Sequence, residues 1–429
     1  MSQLTPLASH YLDRFEQDQE QMPGHGRPAL EALRRTALAA FSDLDFPGRK
    51  VEEWKFTPLN SLTRGIEPVE GKKQSPLPEF HAPHVMTFVN GRFAADKSHL
   101  DRLPDGISLS SLANELEAGR EDLVVPVADR TAALVALNTA FMEDGAVLEL
   151  AENAALDAPV ILRFVSLHGV ARDAHHLRNI IRLGKGASLT LVEEYIGPDG
   201  HAYFANPRND VTLDEGAALN HYKLQAESLA AFHLAETEVT LAKGAAYENF
   251  SLSTGGRLSR NELTTHIEGA GATSALNGAY LMRGEQHCDT TTLTRHLVPE
   301  NDSRQVYKGV LDGKAQGVFQ GKIHIAADAQ KVAGDQLSRS LLLSDTASVS
   351  VKPELEIFAD DVKCSHGASS GELDETALFY MRSRGLTAEE ARRMLIHAFL
   401  ADVIEEVSDE QVRSWFSHIA ERWLNEVQG

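Results

Sequence analysis

A short motif that recurs through the middle of the chain constrains the fold more than any other feature. The motif reads apolar-x-apolar-x-x-(Gly/Asn/Asp)-Ala, where x is any residue. The turn residue of the five clearest copies is Asn153, Gly186, Gly216, Gly244 or Gly271, at spacings of 33, 30, 28 and 27 residues. Weaker copies follow at Asp328 and Thr346.

Each copy predicts a short strand, a tight turn at a residue that tolerates positive φ, and a second strand. One such unit cannot bury its own inner face, so near-regular spacing favours a solenoid whose turns stack into a continuous core. The sequence therefore predicts a mainly β protein with a right-handed parallel β-helix core. An ordinary β-sandwich with recurring turns is the alternative.

Helical patterns flank this core on both sides. Residues 28–41 predict a helix, with Leu30, Ala37 and Phe41 among its apolar residues. Residues 67–83 are rich in Pro, Lys and Gly and predict a linker. We accordingly expect an N-terminal helical region and linker at 1–83, the β-helix core at 84–371 and a C-terminal helical region at 372–429.

The C-terminal region predicts three helices. Asp374 is a candidate N-cap and Gly385 a C-terminal stop for the first helix, and Thr387 with Glu390 forms a capping box for the second. The third is expected to open at Ser408. The apolar stripe predicted for the second helix comprises Ala391, Leu395, Ala398, Phe399 and Val403, and that for the third comprises Val412, Trp415, Phe416, Ile419, Trp423 and Val427.

Charge and composition exclude several partner classes. A net charge of −21 argues against nucleic acid and anionic membranes, because phosphate binding needs a basic face. No run of eighteen apolar residues and no export signal is visible in the sequence, so we expect a cytoplasmic protein. Its two cysteines, Cys288 and Cys364, are then expected to be free thiols.

Common enzyme signatures are missing from the sequence. It contains no G-x-x-x-x-G-K-[ST], Cys-x-x-Cys or H-E-x-x-H motif. The densest group of candidate ligands is Cys364-Ser-His366, because side chains two apart on a strand share a face and can reach one soft metal or sulfur species. The alternative is a small buried thiol and a structural histidine, and for Cys288 a strand thiol is likewise favoured.

Several blocks of the sequence resemble the SufD family of iron-sulfur cluster assembly proteins. They are YKGVLDGKAQGVFQGKI, KPELEIFADDVKCSHGA, ARRMLIHAFLADVIEEV and, near the N-terminus, GRKVEEWKFTPL. The resemblance implies a non-enzymatic scaffold with a β-helix that pairs with a SufB-like paralogue. It also implies that a transient iron-sulfur cluster forms at the interface, where His366 and Cys364 would take part with ligands from the partner.

The resemblance further implies that a SufC-like ABC-type ATPase docks on the C-terminal helices. The residues expected to contact it are Arg384, Gly385, Arg392, Leu395, Phe399 and Trp415. Participation of a flavin and a homodimer of the isolated chain are left open. Two other functions remain as alternatives, a β-helix carbohydrate-active enzyme and a self-contained metal-binding β-helix.

Overall fold

The computed structural model describes residues 4–63, 77–124, 132–167 and 174–427. It contains 41% strand and 26% helix and has a parallel β-solenoid core of about eight turns with helices at both chain termini. The predicted β-helix between helical regions is therefore confirmed. Residues 67–76 of the predicted linker lie outside the described residues, and the predicted domain boundaries at 83 and 371 stay predictions.

The helices and strands are numbered in chain order. The helices are α1 (Pro6–Asp18), α2 (Pro28–Leu44), α3 (Asn60–Thr63), α4 (Leu112–Ala118), α5 (Ala133–Phe141), α6 (Glu375–Ser383), α7 (Ala388–Ile404) and α8 (Glu410–Val427). The strands are β1 (His84–Val89), β2 (Arg92–Phe93), β3 (His99–Leu100), β4 (Ile107–Ser111), β5 (Ala146–Leu150), β6 (Val160–Val165), β7 (Ala174–His175), β8 (Arg178–Leu183), β9 (Ser188–Ile196), β10 (Phe204–Ala205), β11 (Arg208–Leu213), β12 (Ala218–Ala226), β13 (Phe232–Leu241), β14 (Ala246–Ser253), β15 (Leu258–Ile267), β16 (Thr273–Met282), β17 (His287–His296), β18 (Asp302–Leu311), β19 (Gln316–Ile325), β20 (Val332–Leu342), β21 (Ser348–Ile357) and β22 (Val362–Gly371).

Two long sheets form the solenoid, and each full turn adds one strand to each sheet. Sheet A runs β2-β1-β6-β9-β12-β14-β16-β18-β20-β22, with β3 also paired to β1. Sheet B runs β21-β19-β17-β15-β13-β11-β8-β5-β4. All pairs between successive turns are parallel, so side chains of one inner face stack in register along the solenoid axis.

The motif turns have the backbone conformation expected from the sequence. Positive φ occurs at all five clear positions, from 58° at Asn153 to 74° at Gly271. The weaker copies differ. In the loop that contains Asp328 the positive φ is at Lys331, and Thr346 lies in the opposite loop, between β20 and β21. A further turn, at Glu300 with a φ of 61°, lacks the Gly-Ala signature and was missed.

Helices α7 and α8 cover the outer face of sheet A. Their apolar residues form one cluster with outward side chains of sheet A, and Phe416 packs on Phe250 at 5.5 Å between ring centroids. The predicted stripe of α7 is confirmed at Ala391 and Val403, which are buried, and is wrong in its middle turn. Ile396 and Leu400 are buried there, whereas Ala398 is exposed. The predicted stripe of α8 is buried at Val412, Trp415, Phe416, Ile419 and Trp423.

The caps of these helices follow the sequence with one exception. Asp374 accepts hydrogen bonds at the start of α6, and the Thr387–Glu390 capping box is present in α7. The predicted opening of α8 at Ser408 is wrong by one residue, because Asp409 accepts the Gln411 and Val412 N–H groups. Ser408 instead donates its N–H to Glu248 of sheet A at 2.9 Å.

The N-terminal segment covers sheet B. Helices α1, α2 and α5 form a cluster with outward residues such as Phe204 and Phe232. Further along the sheet, Trp54 stacks on the Arg260 guanidinium at 4.1 Å, and the Glu53 carbonyl accepts a hydrogen bond from Gln320. The motif around Trp54 therefore ties the N-terminal region to three turns of the core. No helix among the described residues is long and apolar enough to cross a membrane.

Candidate functional site

The last turn of the solenoid is the least covered part of the core. Strands β21 and β22 end their sheets, and among the described residues no further strand pairs with either. No residue of either strand is buried, whereas β6, β9 and β12 in earlier turns are mostly buried. Edge strands carry unpaired N–H and C=O groups, so this end can accept a second chain.

Both predicted ligands lie on β22 at this open end. Cys364 pairs in register with Gly334 of β20, and His366 pairs with Gln336. The alternation of strand side chains places both on the face toward the solenoid interior. Cys364 is half-buried beside Ile323 and Val332, while His366 is exposed. Partial burial raises the pKa of the Cys364 thiol above its ordinary value, which disfavours a free thiolate.

These two side chains do not form a closed metal site within the chain. Among the described residues, no group of three or more His, Cys, Asp or Glu side chains could hold a metal ion. An imidazole and a thiol together suit a soft metal or a sulfur species, but a four-coordinate site needs two more donors. An ion or cluster bound here would therefore need donors beyond Cys364 and His366.

The other cysteine is a core residue. Cys288 is 3% exposed and packs with Met282, Leu311 and Ala315. Burial raises the pKa of its thiol to about 12. This environment supports the structural alternative for Cys288, because a buried neutral thiol is inert.

Two histidines of the solenoid, His176 and His296, have structural contacts. His176 lies 3.1 Å from the Asn206 amide oxygen and 3.2 Å from the Tyr11 hydroxyl, and His296 lies 2.9 Å from the Ser303 hydroxyl. These contacts fix the rings within the folded core. They give both rings a structural role that needs no metal.

The residues predicted to contact an ATPase differ in their exposure. Arg384, Gly385 and Arg392 are exposed, and Gly385 has a φ of 99° at the end of α6. Leu395 and Phe399 are half-buried.

Trp415, by contrast, is 5% exposed, stacks near Phe80 at 5.0 Å, and donates its indole N–H to the Pro78 carbonyl at 2.7 Å. Trp415 is therefore packed between the helices and the segment around Phe80, and has little surface to offer a partner.

An exposed apolar patch on α6 and α7 was missed by the sequence reasoning. Phe379 is 75% exposed, Tyr380 58% and Met394 50%. A signal was present: four consecutive apolar residues, Leu378 to Met381, span most of a helical turn and cannot all face one side. Only Leu378 of α6 is buried, so the other large side chains of that run face outward or lie at its margin.

Helix α7 is joined to the core by buried charge. The side chain of Lys308 on β18 is only 3% exposed. Its ammonium group contacts the Asp402 carboxylate and donates a hydrogen bond to the Phe399 carbonyl at 2.9 Å. Its nitrogen also lies 4.7 Å from the Phe399 ring centroid. The hydrogen bond from Lys308 lowers the pKa of Asp402. A second ion pair, Arg304 with Glu406, holds the end of the helix.

Comparisons with known proteins agree with this architecture. The SufBD core domain of the SUF system for FeS cluster assembly matches residues 166–399, and the SufBD protein N-terminal region matches residues 6–65 and 76–162. A SufBD family protein of Synechocystis is 32% identical over 91% of this chain and 90% of its own length.

Two further relatives match over similar lengths. The iron-sulfur cluster assembly protein SufD of Escherichia coli is 29% identical over 94% of this chain and 93% of its own length. A chloroplastic protein of Arabidopsis thaliana is 30% identical over 95% of this chain and 89% of its own length. The β-helix, the covered outer faces and these full-length matches lead to one conclusion: the chain belongs to the SufBD family of iron-sulfur cluster assembly proteins.

Proposed function

We propose that this chain is a SufD-type, non-catalytic scaffold subunit that works in the cytoplasm and pairs with a SufB-like paralogue. The observation that carries the proposal is the open end, where no described strand pairs with the outer edge of β21 or of β22, beside His366 and Cys364. A related β-helix that presents a matching edge would extend both sheets and cover the last turn. A homodimer would use the same edges, and the experiment below separates the two.

The nascent iron-sulfur cluster is the cargo of this interface. His366 is exposed and can bind iron directly, and the neighbouring Cys364 can add a thiolate once a metal displaces its proton. Two donors per cluster leave the other coordination positions to the partner. The scaffold itself then needs no turnover, and an interface site would be incomplete in either chain alone.

Docking of a SufC-like ATPase is assigned to the exposed surface of α6 and α7. Phe379, Tyr380 and Met394 supply apolar and aromatic anchors of the kind that dominate interface energies. Arg384 and Arg392 supply positive charge at the same surface. In this proposal Trp415 supports the helices from within and does not contact the ATPase.

Co-expression of this chain with a SufB-like and a SufC-like protein tests both interfaces. His366→Ala is expected to leave assembly intact and to reduce iron and acid-labile sulfide per complex. The matched control is His324→Ala, because His324 is a half-exposed histidine of the penultimate sheet B strand and pairs with Glu356. A stable homodimer that excludes the SufB-like chain, or equal cluster content in both variants, would contradict the proposal.

The docking surface is tested separately with Phe379→Ser combined with Tyr380→Ser. These side chains are exposed, so folding is expected to be unchanged while the ATPase no longer co-elutes. Leu100→Ser is the control, because Leu100 is 40% exposed on β3 at the other end of the solenoid. If the double variant binds the ATPase as well as wild type does, the docking site lies elsewhere.

A further inference from the structure

The two edge strands at the open end of the solenoid differ in sequence. Strand β21 carries a proline, Pro353, flanked directly by Lys352 and Glu354, with Glu356 two residues further on. Proline and charged side chains are the devices by which natural edge strands avoid pairing with other strands. Residues 364–371 of β22 contain no proline and no Asp, Glu, Lys or Arg. The sheet B edge is therefore protected against strand addition, whereas the sheet A edge is not protected.

Hydrogen bonds within sheet B show which way Pro353 faces. The Ser348 and Phe358 N–H groups donate to the Ala315 and Ile325 carbonyls, at the start and end of β19, at 3.1 and 3.0 Å. Between them the parallel register is unbroken, and successive residues point their backbone groups alternately to the two sides of the strand. Pro353 is an odd number of residues from both Ser348 and Phe358, so it faces outward. Its missing N–H removes no bond from sheet B but interrupts the outer edge.

The outer edge of β22 has no such interruption. At the two ends of β20, the Ala333 and Leu343 N–H groups donate toward β18 at 3.2 and 2.8 Å, so Gly334 and every second residue after it bond to β22. In a parallel pair these bonds go to the neighbours of the register partner, so Gly334 leaves its partner Cys364 facing outward. The outward N–H groups of β22 belong to Cys364, His366, Ala368 and Ser370.

Strand β21 offers a partner side chains in place of a continuous ladder. Val349 and Leu355 of its inner face are half-buried and pack on separate clusters of the core, around Leu311 and Ile323. Ile357, at the end of the strand, is 38% exposed. Apolar area that stays accessible in the last turn favours packing against a second chain. The two sheets therefore suit two kinds of contact.

We propose that the SufB-like paralogue joins this chain mainly through β22, in a continuous hydrogen-bonded ladder along residues 364–370, and meets β21 mainly by side-chain packing, with its ladder broken at Pro353. This inference rests on the proposed function and deepens it by naming the edge that carries the interface. The occupant of the β22 edge is a strand of the partner, because a row of regularly spaced N–H and C=O groups matches the backbone of another strand.

The ladder also has a consequence for the candidate cluster site. Side chains of a strand alternate between its faces, so a slip of one residue would turn every partner side chain to the opposite face. The backbone groups of Cys364 and His366 themselves belong to the outer edge of β22. Pairing along this edge would therefore fix the position of the partner's donors relative to both side chains.

Proline substitutions on the two edges test the proposal with separately purified chains. Ala368→Pro removes one outward N–H of β22 and leaves the bonds to β20 in place. The isolated variant should therefore keep the Tm of wild type, while calorimetric titration shows an affinity for the SufB-like chain about tenfold lower. Val351→Pro is the matched control, because it removes an outward N–H of β21 two residues from the existing break. Its affinity should fall about threefold or less.

The outcomes separate this inference from the proposed function. Unchanged affinity in Ala368→Pro, or equal losses in the two variants, overturns the inference and leaves the proposed function standing. A lower Tm of isolated Ala368→Pro would show that this N–H is bonded within the chain, and also overturns it. No binding of the SufB-like chain to wild type overturns both.

Hydrogen exchange of the wild-type chains gives a second readout that needs no substitution. Peptides that cover residues 364–371 are expected to exchange about tenfold or more slowly in the complex than in the isolated chain. Peptides that cover residues 349–357 should be slowed less. Equal protection of the two strands, or stronger protection of β21, would overturn the inference even if Ala368→Pro does not fold.

Discussion

The two ends of the solenoid are built differently. At the first end, β1 carries the antiparallel strands β2 and β3, and β5 carries the antiparallel strand β4. Phe88, Phe164 and Tyr195 stack in the interior there, with successive ring centroids 5.2 and 4.6 Å apart. At the last end, β21 and β22 are parallel edges without a buried residue. The chain closes one end by itself, and in the proposed complex a partner covers the other.

Thiol reactivity is expected to show the largest difference between core and open end. In the native chain Cys364 should react with a thiol reagent about a thousandfold faster than Cys288, because Cys288 reacts only after local unfolding. Single variants Cys288→Ala and Cys364→Ala assign the two rates by absorbance. Comparable rates in the folded chain would show that the core turn around Cys288 opens as readily as the last turn.

The second-largest difference is expected between a buried ion pair of the core and an exposed ion pair at the open end, in the stability lost when each is broken. Arg260 and Asp289 are at most 1% exposed and lie 2.5 Å apart, so Arg260→Met leaves a buried carboxylate and should cost about 3–5 kcal/mol. Lys331→Met at the open end breaks an exposed pair with Glu300 and should cost at most about 1 kcal/mol. Urea unfolding measures both. Similar losses would mean that the pair around Arg260 is hydrated.

Shortening one apolar side chain in the middle of the solenoid and one in its last turn compares how tightly the two regions are packed. Leu191 of β9 is fully buried in the main core cluster, so Leu191→Ala should lower the free energy of unfolding by about 2–5 kcal/mol. Leu355 of β21 is half-buried, and Leu355→Ala should cost about 1 kcal/mol or less. Urea titrations of both variants against wild type test this. An equal loss would show that the last turn is packed as tightly as the middle.

The smallest expected difference between the core and the open end concerns how stability changes at acid pH. A hydrogen bond with His266, with help from Arg208, lowers the pKa of Glu238 to about 2. Because the folded pKa lies below the unfolded value, its stabilisation is present above about pH 4.5 and is lost as the pH falls toward 2.

Glu238→Gln should therefore be less stable than wild type at pH 7, and this difference should shrink across that window. Glu356→Gln at the open end is the control. There Lys322 lowers the pKa of a fully exposed carboxylate, and solvent screening weakens the effect. Unfolding monitored by circular dichroism at several pH values measures both variants. A constant difference between wild type and Glu238→Gln would contradict the assignment.

Much of the local structure could be predicted because its causes are local. Positive φ at Gly186 or Asn153, the Asp374 cap and the Thr387 capping box each depend on residues within one turn. The buried face of α7 could be predicted only in part, at Ala391 and Val403. Its contact residues are set by Lys308 and its neighbours on sheet A, which are about ninety residues distant in the chain.

The features of the candidate site also separate into local ones, which could be predicted, and those set by tertiary packing, which could not. The stacking strands, their turns and the placement of Cys364 and His366 on one face follow from the sequence, because strand periodicity and turn chemistry depend on neighbouring residues. Tertiary packing alone sets the burial of Trp415, the exposure of Phe379 and the register of Gln336 beside His366. These properties depend on which distant strands and helices become neighbours, and side-chain patterns along the chain do not encode that directly.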